Sequence, residues 1–426
     1  MAAALFAAFA VSVILNTPIS LALGLASLVG LMYTGGLPFI LVPQKMFTGI
    51  DSFALLAVPL FILAGKLMET GGISRRLIRV ASALVGHIRG GLGQVVIVST
   101  IFFSGVSGSS TADTAAIGSV CIPAMVRKGY RRELATAIVA AAGAMGILIP
   151  PCINMVVYAI VAETSIAGLF LGGFLPGFLM GFCLMVYTYL SARRENYPTE
   201  PKASFREVLV AIKESVLPLF MPIIIMGGIL SGIFTVTESA AVAVAYGCVL
   251  SVLVYRELKI SSLPEVLISS ASTTGIVMLL VGMATIFGYI LAHHRIPHMV
   301  GETISAISTQ PWVFLLIVNI LFLIVGTFMD PLPAIVILVP ILLPVALQLG
   351  INPIHFGIVL IANLGIGFLT PPVGVVLFVA CSIGEVPISK VIGPLLPFIG
   401  VMIVALALIT YIPEITLFLP RLCGYL

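Results

Sequence analysis

Residues 146–151 read Gly-Ile-Leu-Ile-Pro-Pro, and residues 367–372 read Gly-Phe-Leu-Thr-Pro-Pro. Each stretch lies inside a long apolar run, where a proline pair removes two amide donors and releases carbonyl groups of the preceding turn. A shift of 221 positions superimposes the two stretches and gives nine identities over residues 105–159 without a gap, six of them Gly or Pro. Chance matches in an apolar chain would mostly be Ala or Leu, so the agreement of helix breakers indicates an internal repeat.

The composition is that of a helical membrane protein. Of the 426 residues, 60% are hydrophobic and 8% are charged, whereas a soluble domain carries about 25% charged residues. Apolar runs of about 20 residues, long enough to cross a bilayer as a helix, recur along the chain, and no strand-like alternation accompanies them. The clearest runs are Leu169–Leu190, Val216–Phe234, Ala240–Tyr255, Val313–Phe328 and Val391–Ile412. The N-terminus lacks a basic stretch, so we expect no cleaved signal peptide.

The basic residues predict the topology, because short cytoplasmic loops are rich in Lys and Arg. Most of the 20 basic residues fall in four clusters, which we therefore place in the cytoplasm. The net charge of +4 is therefore no sign of nucleic-acid binding, and no nucleic-acid partner is expected. The clusters are Arg75/Arg76/Arg79/Arg89, Arg127/Lys128/Arg131/Arg132, Arg193/Arg194/Lys202/Arg206/Lys213 and Arg256/Lys259.

Two segments should form re-entrant helical hairpins that enter the membrane from opposite faces. Residues 91–126 lie between cytoplasmic clusters and have a polar Gly/Ser centre, which favours a hairpin that turns back in mid-membrane. Residues 312–347 have a polar, Pro-broken centre, but their flanks contain no Lys or Arg and should lie outside. Opposite entry makes the repeat an inverted one. Secondary transporters follow this plan and bind their ligands at the midplane between broken helices.

The two repeats offer oxygen atoms suited to Na⁺. Unwound carbonyls at mid-membrane are hard ligands, and the N-terminus of the next half-helix favours an anion. The second hairpin tip adds Asp330 with the carbonyls of 326–329, and the broken helices add Asn154 and Thr370. An alternative for each Ser and Thr is a hydrogen bond to its own or a neighbouring helix. The first tip adds the hydroxyl groups of Ser107, Ser109, Ser110 and Thr111.

Other polar residues allow a functional and a structural interpretation. Asp113 and Asp330 are ionisable at membrane depth, which suggests function, although Asp113 could instead cap the second hairpin helix. Glu238 lies at an outer turn, where helix capping is preferred. The cluster His293 to His298 could hold a metal, but Pro297 disrupts a helical pair, so a polar turn is preferred. The six Cys show no ligand spacing and are interpreted as packing residues. With no catalytic triad, phosphate loop or HExxH pattern, we expect neither an enzyme nor an ATPase.

Motifs spread over the whole chain are specific in combination. They are Asp51-Ser-Phe-Ala-Leu-Leu-Ala-Val-Pro59, Gly65-Lys-Leu-Met-Glu-Thr-Gly-Gly72, Phe103-Ser-Gly-Val-Ser-Gly-Ser-Ser-Thr-Ala-Asp113, Leu148-Ile-Pro-Pro151, Thr237-Glu-Ser-Ala-Ala241 and Gly367-Phe-Leu-Thr-Pro-Pro-Val-Gly374. Together they resemble the large, DctM-type membrane subunit of tripartite ATP-independent periplasmic (TRAP) transporters. Many members have Pro where this chain has Val236, a departure at an outer turn.

The resemblance implies Na⁺ symport by an elevator mechanism, in which a transport domain with both hairpins moves against a fixed scaffold. It implies a multi-pass protein of the bacterial inner membrane, surrounded by lipid, with a small four-helix DctQ-type subunit and a DctP-type periplasmic binding protein as partners. The substrate would be a small organic acid such as a C4-dicarboxylate or sialic acid. No cofactor is implied besides Na⁺ as the coupling ion. The chain begins at its first apolar run, so we expect no fused small subunit.

The same resemblance implies the site residues by matching position. Substrate would lie between two sodium sites and contact Ser109, Asp113, Asn154 and Thr370. The first sodium site would comprise Ser107, Gly108, Ser109, Ser110, Thr111, Pro150 and Asn154. The second would comprise Gly326, Met329, Asp330, Thr370, Pro372 and Gly374.

The expected organisation has four parts. They are N-terminal scaffold helices (1–90), a first repeat core (91–190) with a hairpin (91–126) and a broken helix (135–162), an amphipathic arm with scaffold helices (191–300), and a second repeat core (301–426) with a hairpin (312–347), a broken helix (357–382) and a C-terminal helix. Two other functions stay open. A stand-alone carboxylate or ion antiporter or symporter of the wider ion-transporter superfamily would share the hairpin plan, and a membrane scaffold protein would not transport at all.

Overall fold

The computed structural model describes residues 2–34, 37–195, 197, 199, 201–307 and 310–426. All regular elements in these ranges are helical. Eight of the described helices are long and apolar enough to cross a membrane. The prediction of an all-α polytopic membrane protein is therefore confirmed.

The N-terminal region forms five helices. α5 is amphipathic: Ile73, Leu77 and Val80 are buried, while Arg75 and Arg79 are exposed. The helices are α1 (Ala2–Ile14), α2 (Ile19–Thr34), α3 (Leu41–Ile50), α4 (Ala57–Thr70, preceded by a 3₁₀ turn over Phe53–Leu56) and α5 (Ile73–Val85).

The first repeat contains a hairpin and then a broken helix, as predicted. Its two hairpin arms are separated by only two residues, whereas six residues separate the halves of the broken helix. A 30-residue helix follows. The elements are the hairpin arms α6 (Gly91–Ser107) and α7 (Ser110–Arg127), the broken helix α8 (Arg132–Gly146) and α9 (Ile153–Val161), and the long helix α10 (Ile166–Glu195).

The middle region contains two helices that begin with a capping box. Ser204 and Thr235 each accept a hydrogen bond from the third helical amide. The carboxylates of Glu207 and Glu238 in turn accept one from the backbone amide of the cap residue. This satisfies amides that a helix start leaves unpaired, and the capping interpretation of Glu238 is confirmed. The helices are α11 (Phe205–Leu230), α12 (Val236–Cys248, continued by a π-helical turn over Val249–Val254), α13 (Leu263–His293, preceded by a 3₁₀ turn over Ile260–Ser262) and α14 (Ile296–Ile307).

The second repeat has the same order of elements as the first. The C-terminal region forms two helices, whereas the apolar run predicted one. The first ends because Pro413 cannot donate the amide that would continue it. The elements are the hairpin arms α15 (Pro311–Phe328) and α16 (Pro331–Gln348), the broken helix α17 (Pro353–Gly367) and α18 (Val375–Gly384), and the C-terminal helices α19 (Ile388–Tyr411) and α20 (Glu414–Leu422).

The ends of the two hairpins show the repeat in atomic detail. Gly129 and Gly350, one of the matched pairs, follow α7 and α16 with φ of 89° and 74°. In both places the next amide donates to the carbonyl five residues earlier, at 3.1 Å from Tyr130 and 2.9 Å from Ile351. This is the left-handed helix end that favours glycine, so the matched glycines have a shared conformational cause.

Two groups of helices pack mainly among themselves. α1–α4 with α11–α13 form one group, and α6–α10 with α15–α20 form the other. Within the second group the repeats interlock: α7 packs against α8 of its own repeat and α18 of the other, and α16 packs against α17 and α9. A hydrogen bond of 2.6 Å from the Tyr158 hydroxyl of α9 to the Pro353 carbonyl of α17 also joins the repeats. The interlocked arrangement brings both hairpin tips to broken helices.

Candidate functional site

The tip of the first hairpin rests directly on the first break. α6 ends at Ser107, and Gly108 adopts the left-handed conformation with φ of 63°. A β-carbon at Gly108 would lie 2.9 Å from the Pro151 carbonyl oxygen and 3.8 Å from the Ile153 amide nitrogen. Only glycine therefore allows the tip to approach the unwound backbone this closely.

Asp113 links the two arms of the first hairpin by hydrogen bonds near the tip. Its carboxylate is fully buried, and its two oxygens accept short hydrogen bonds from the Ser104 and Ser107 hydroxyl groups. The alternative cap interpretation is wrong, since the residue that caps α7 is Ser109, whose hydroxyl accepts from the Ala112 amide at 3.5 Å. A buried carboxylate requires such partners, and here the partners lie on the opposite arm of the hairpin.

Several tip oxygens remain available to a ligand. The Ser109 and Thr111 hydroxyl oxygens lie 3.1 Å apart, and both side chains are half-buried. The Ser110 hydroxyl is buried with no hydrogen-bond partner. The first break, at Pro150 and Pro151, is buried beside them. The tip thus offers hydroxyl oxygens close to the first break. The first sodium site itself stays a prediction.

The second tip also meets its break, but by backbone contact. A β-carbon at Gly367, the last residue of α17, would lie 2.6 Å from the Gly326 α-carbon. The Val373 amide donates to the Thr327 carbonyl at 3.3 Å. At the 221-residue shift Gly326 and Gly367 correspond to Gly105 and Gly146 of the first repeat, and both proline pairs have a cis peptide bond. The structure therefore brings Gly326, Thr370 and Gly374 into one region. The second sodium site itself stays a prediction.

The polar side chains of the second region have local hydrogen bonds. The Thr370 hydroxyl donates to the Ile366 carbonyl at 2.7 Å, so only its lone pairs are available to a cation. Asp330 is exposed and caps α16 by accepting from the Leu332 amide at 3.1 Å. The alternative of own-helix bonding thus applies to Thr370, and capping is the role that Asp330 has in this structure. Pro372 is exposed and Met329 half-buried nearby.

A cavity of about 310 Å³ lies beside the first tip. Ser107, Ser109 and Thr111 line it, together with Ile153 of the first break and Val379 of α18. Asp113, Asn154 and Thr370, predicted to contact substrate, are not among its walls. Asn154 is half-buried next to Ile153, and Thr370 belongs to the other tip.

Three polar residues that line this cavity were not predicted as site residues from the sequence. Lys66 and Glu69 of α4 line the cavity and form an ion pair of 3.0 Å, and Thr273 of α13 lies opposite. The available signal was a Lys and a Glu inside an otherwise apolar helix, which by default suggests function. The packing of α4 and α13 against the hairpin is a tertiary contact between segments distant in sequence. Their position at the cavity therefore could not be derived from the sequence.

The family of the chain follows from its similarity to known proteins. Residues 6–415 match the family described as "Tripartite ATP-independent periplasmic transporter, DctM component". The chain belongs to this family. It is 43% identical to the C4-dicarboxylate TRAP transporter large permease protein DctM of Pseudomonas aeruginosa, over 89% of each chain. It is 42% identical to the sialic acid TRAP transporter large permease protein SiaM of Vibrio cholerae, over 96% of each chain.

Two further likenesses extend the comparison of this DctM-family chain. It is 43% identical to the isethionate TRAP transporter permease protein DctMQ of Oleidesulfovibrio alaskensis, over 97% of this chain and 65% of that protein. The crystal structure of the Alcanivorax borkumensis YdaH transporter resembles it with a TM-score of 0.62 and 15% identity, over 89% of this chain and 88% of that one. At that identity the likeness shows the fold alone. The predicted family and fold class are confirmed.

Proposed function

We propose that this chain is the permease subunit of a Na⁺-driven importer of a small organic anion. The observation that carries the proposal is the meeting of each polar hairpin tip with a double-proline break, at the same offset in both repeats. Such a pairing places hydroxyl and carbonyl oxygens around two points in mid-membrane. One Na⁺ would bind at each, in the first region among Ser107–Thr111 and in the second near Gly326 and Thr370.

The cavity beside the first tip is the proposed substrate site. Its volume of about 310 Å³ lies at the lower end of the range typical of ligand pockets. Lys66 would bind an acidic group of the ligand by exchanging its pair with Glu69 for that group. The hydroxyl groups of Ser109 and Thr111 would supply hydrogen bonds. The relatives are named for C4-dicarboxylate, sialic acid and isethionate, so the class proposed is a small carboxylate or sulfonate.

The proposed partners follow from the family. Its description is tripartite and periplasmic, which supports a small membrane subunit of DctQ type and a binding protein that delivers the substrate. The isethionate relative has both letters M and Q in its name and is longer than this chain. The proposed location is the bacterial inner membrane. The two helix groups would serve as scaffold (α1–α4 and α11–α13) and as moving body in an elevator mechanism.

Energetics favour two coupling ions. One charge moved through 100 mV is worth about 2.3 kcal/mol, and a tenfold gradient adds about 1.4 kcal/mol per ion. Two Na⁺ therefore supply roughly 7 kcal/mol, from which the charge of an anionic substrate subtracts. Steep accumulation of an anion thus requires more than one Na⁺.

The test is uptake into proteoliposomes that contain this chain and its small subunit. Radiolabelled succinate, sialic acid and isethionate are offered with and without the cognate binding protein, under a Na⁺, K⁺ or proton gradient. We expect uptake of one of them only with Na⁺ and only with the binding protein. Uptake without that protein would support the stand-alone antiporter or symporter. Uptake that follows a proton gradient and ignores Na⁺ would exclude the two-ion assignment.

A further inference from the structure

A basic groove lies between α5 and the start of α11, away from the hairpin tips. Its main cavity measures about 840 Å³ and has Arg75, Arg79, Lys202 and Arg206 among its walls. A second cavity of about 580 Å³ shares Arg75 and Arg79 and adds Lys213. The two cavities are therefore neighbours on either side of Arg75 and Arg79, and we call them together the basic groove.

The acidic residues of this groove are already engaged. Glu214 pairs with Arg79, and Glu257 pairs with Arg76 at 2.7 Å. Glu207 is bound in the capping box with Ser204. Among the described residues, no carboxylate forms an ion pair with the other four cations. Those cations are Arg75, Lys202, Arg206 and Lys213.

Large apolar side chains of α11 that are next in sequence to the wall residues Arg206 and Val210 are exposed. Phe205, next to Arg206, is 84% exposed, and Leu209 one turn later is 57% exposed. Large apolar side chains that no protein atom covers are typical of surfaces that contact lipid acyl chains. Lys and Arg near a helix end extend toward the lipid headgroups. Positive charge beside an exposed apolar edge is the pattern of a site at the membrane surface. The charge clusters place this surface on the cytoplasmic side.

We propose that this groove binds the headgroup of an anionic phospholipid from the cytoplasmic leaflet. The guanidinium groups of Arg75 and Arg206 hold the phosphate, because Arg forms paired hydrogen bonds with phosphate oxygens. Lys202 and Lys213 add unpaired positive charge, and the acyl chains lie along Phe205 and Leu209. Basic pockets at the cytoplasmic ends of membrane helices bind such headgroups. Since α5 packs on hairpin arm α6 and on α11, the lipid would occupy the junction between the two helix groups.

The test measures stabilisation of the purified full chain by added lipid. The thermal unfolding midpoint in detergent is titrated with phosphatidylglycerol, with phosphatidylcholine of the same acyl chains, and with inorganic phosphate. We expect only phosphatidylglycerol to raise the midpoint of the unsubstituted chain, since a ligand that binds the folded state stabilises it. In Arg75→Gln/Arg206→Gln the half-maximal phosphatidylglycerol concentration should rise about 30-fold, because each cation near the surface contributes about fivefold.

Two comparisons make the outcome decisive. Arg193→Gln/Arg194→Gln removes the same charge from the cytoplasmic end of α10 and should leave the titration unchanged; an equal loss there would mean diffuse attraction and would overturn the proposal. Lys202→Gln/Lys213→Gln should weaken the binding of phosphatidylglycerol, so the half-maximal concentration should rise as it does for the Arg double variant. An equal response to phosphatidylcholine would also overturn the proposal, and so would one to inorganic phosphate. All six side chains are exposed or border the groove, so the midpoints without lipid should coincide.

Discussion

Gly146, the last residue of α8, faces the Asp113 carboxylate so closely that a β-carbon there would lie 2.6 Å from Oδ2. The same β-carbon would lie 2.4 Å from the Ser104 hydroxyl oxygen. Neither oxygen can move away without cost, because the Ser104 hydroxyl donates a hydrogen bond to the Asp113 carboxylate. The absence of a side chain at Gly146 thus allows α8 to pack directly against the hydrogen-bonded Ser104 and Asp113.

The first prediction tests these close approaches. Gly146→Ala should displace Asp113 and its serine partners, and Gly367→Ala should separate α17 from Gly326, where backbone atoms cannot yield. We expect each change to destabilise the protein by about 1–3 kcal/mol, the usual cost of overpacking. Thermal unfolding in detergent measures it, with the larger loss expected for Gly367→Ala.

Gly400→Ala is the matched control for both substitutions. Gly400 lies inside α19, and a β-carbon there would meet nothing within 4 Å. Because Ala favours a helix over Gly by about 1 kcal/mol, this change should leave stability equal or higher. Equal midpoints for all three variants would contradict the close packing of tip and break.

The second prediction concerns the carboxylate. Asp113→Asn keeps the shape but replaces one acceptor by an amide donor, so the Ser104 and Ser107 hydroxyl groups cannot both donate as they do now. The tip should loosen, and the Na⁺ concentration for half-maximal uptake should rise by roughly tenfold, the equivalent of about 1.4 kcal/mol. Glu385→Gln is the control, because its 3.1 Å pair with Arg132 is exposed and such pairs contribute little. Unchanged Na⁺ dependence in Asp113→Asn would contradict the role of Asp113 in ordering the tip through its hydrogen bonds.

The third prediction addresses the two proposed ion sites. Ser109→Ala and Thr370→Ala should each raise the half-saturating Na⁺ concentration and lower the Hill coefficient of uptake toward one. The double variant should abolish coupling more completely than either change alone. Thr274→Ala is a close control, since its hydroxyl also donates to the carbonyl four residues earlier, at 2.8 Å. Should Thr274→Ala shift Na⁺ dependence as much as Thr370→Ala, the assignment of Thr370 fails.

The fourth prediction is the orientation of the hairpins. In a chain whose six cysteines are replaced, single cysteines at Lys128 and Gln348 should react with a membrane-impermeant thiol reagent from opposite faces. Both residues are exposed at corresponding hairpin ends, so accessibility itself is not limiting. The cysteine-free chain provides the blank. Reaction of both positions from the same face would contradict an inverted repeat.

The repeat and its breaks could be predicted because they depend on local chemistry. Proline pairs end helices wherever they occur, and the glycines at 129 and 350 favour the helix ends that the structure shows. The hairpin bounds therefore follow closely from the residues themselves. The second C-terminal helix does not follow from hydropathy, because the apolar run ends near Ile412 and α20 begins after Pro413 with the charged Glu414.

The contents of the site were less predictable. Asp113 was recognised as unusual, but its bonds to Ser104 and Ser107 depend on how two arms meet at a turn. The Lys66–Glu69 pair and Thr273 reach the cavity through packing of helices distant in sequence. Periodicity and spacing say nothing about such contacts. The assignment of individual ligands to Na⁺ or substrate stays a prediction.

The interlocking of the repeats has a consequence for the history of the chain. Because α7 packs against α18 and α16 against α9, each half covers surfaces that the other half would otherwise leave bare. An ancestor with a single repeat would therefore have needed a second, oppositely oriented copy of itself to fold. Joining the two copies in one chain would remove the need for two molecules to meet, and each copy could then diverge. The buried carboxylate illustrates that freedom: at the 221-residue shift, Asp113 in one half corresponds to Ala334 in the other.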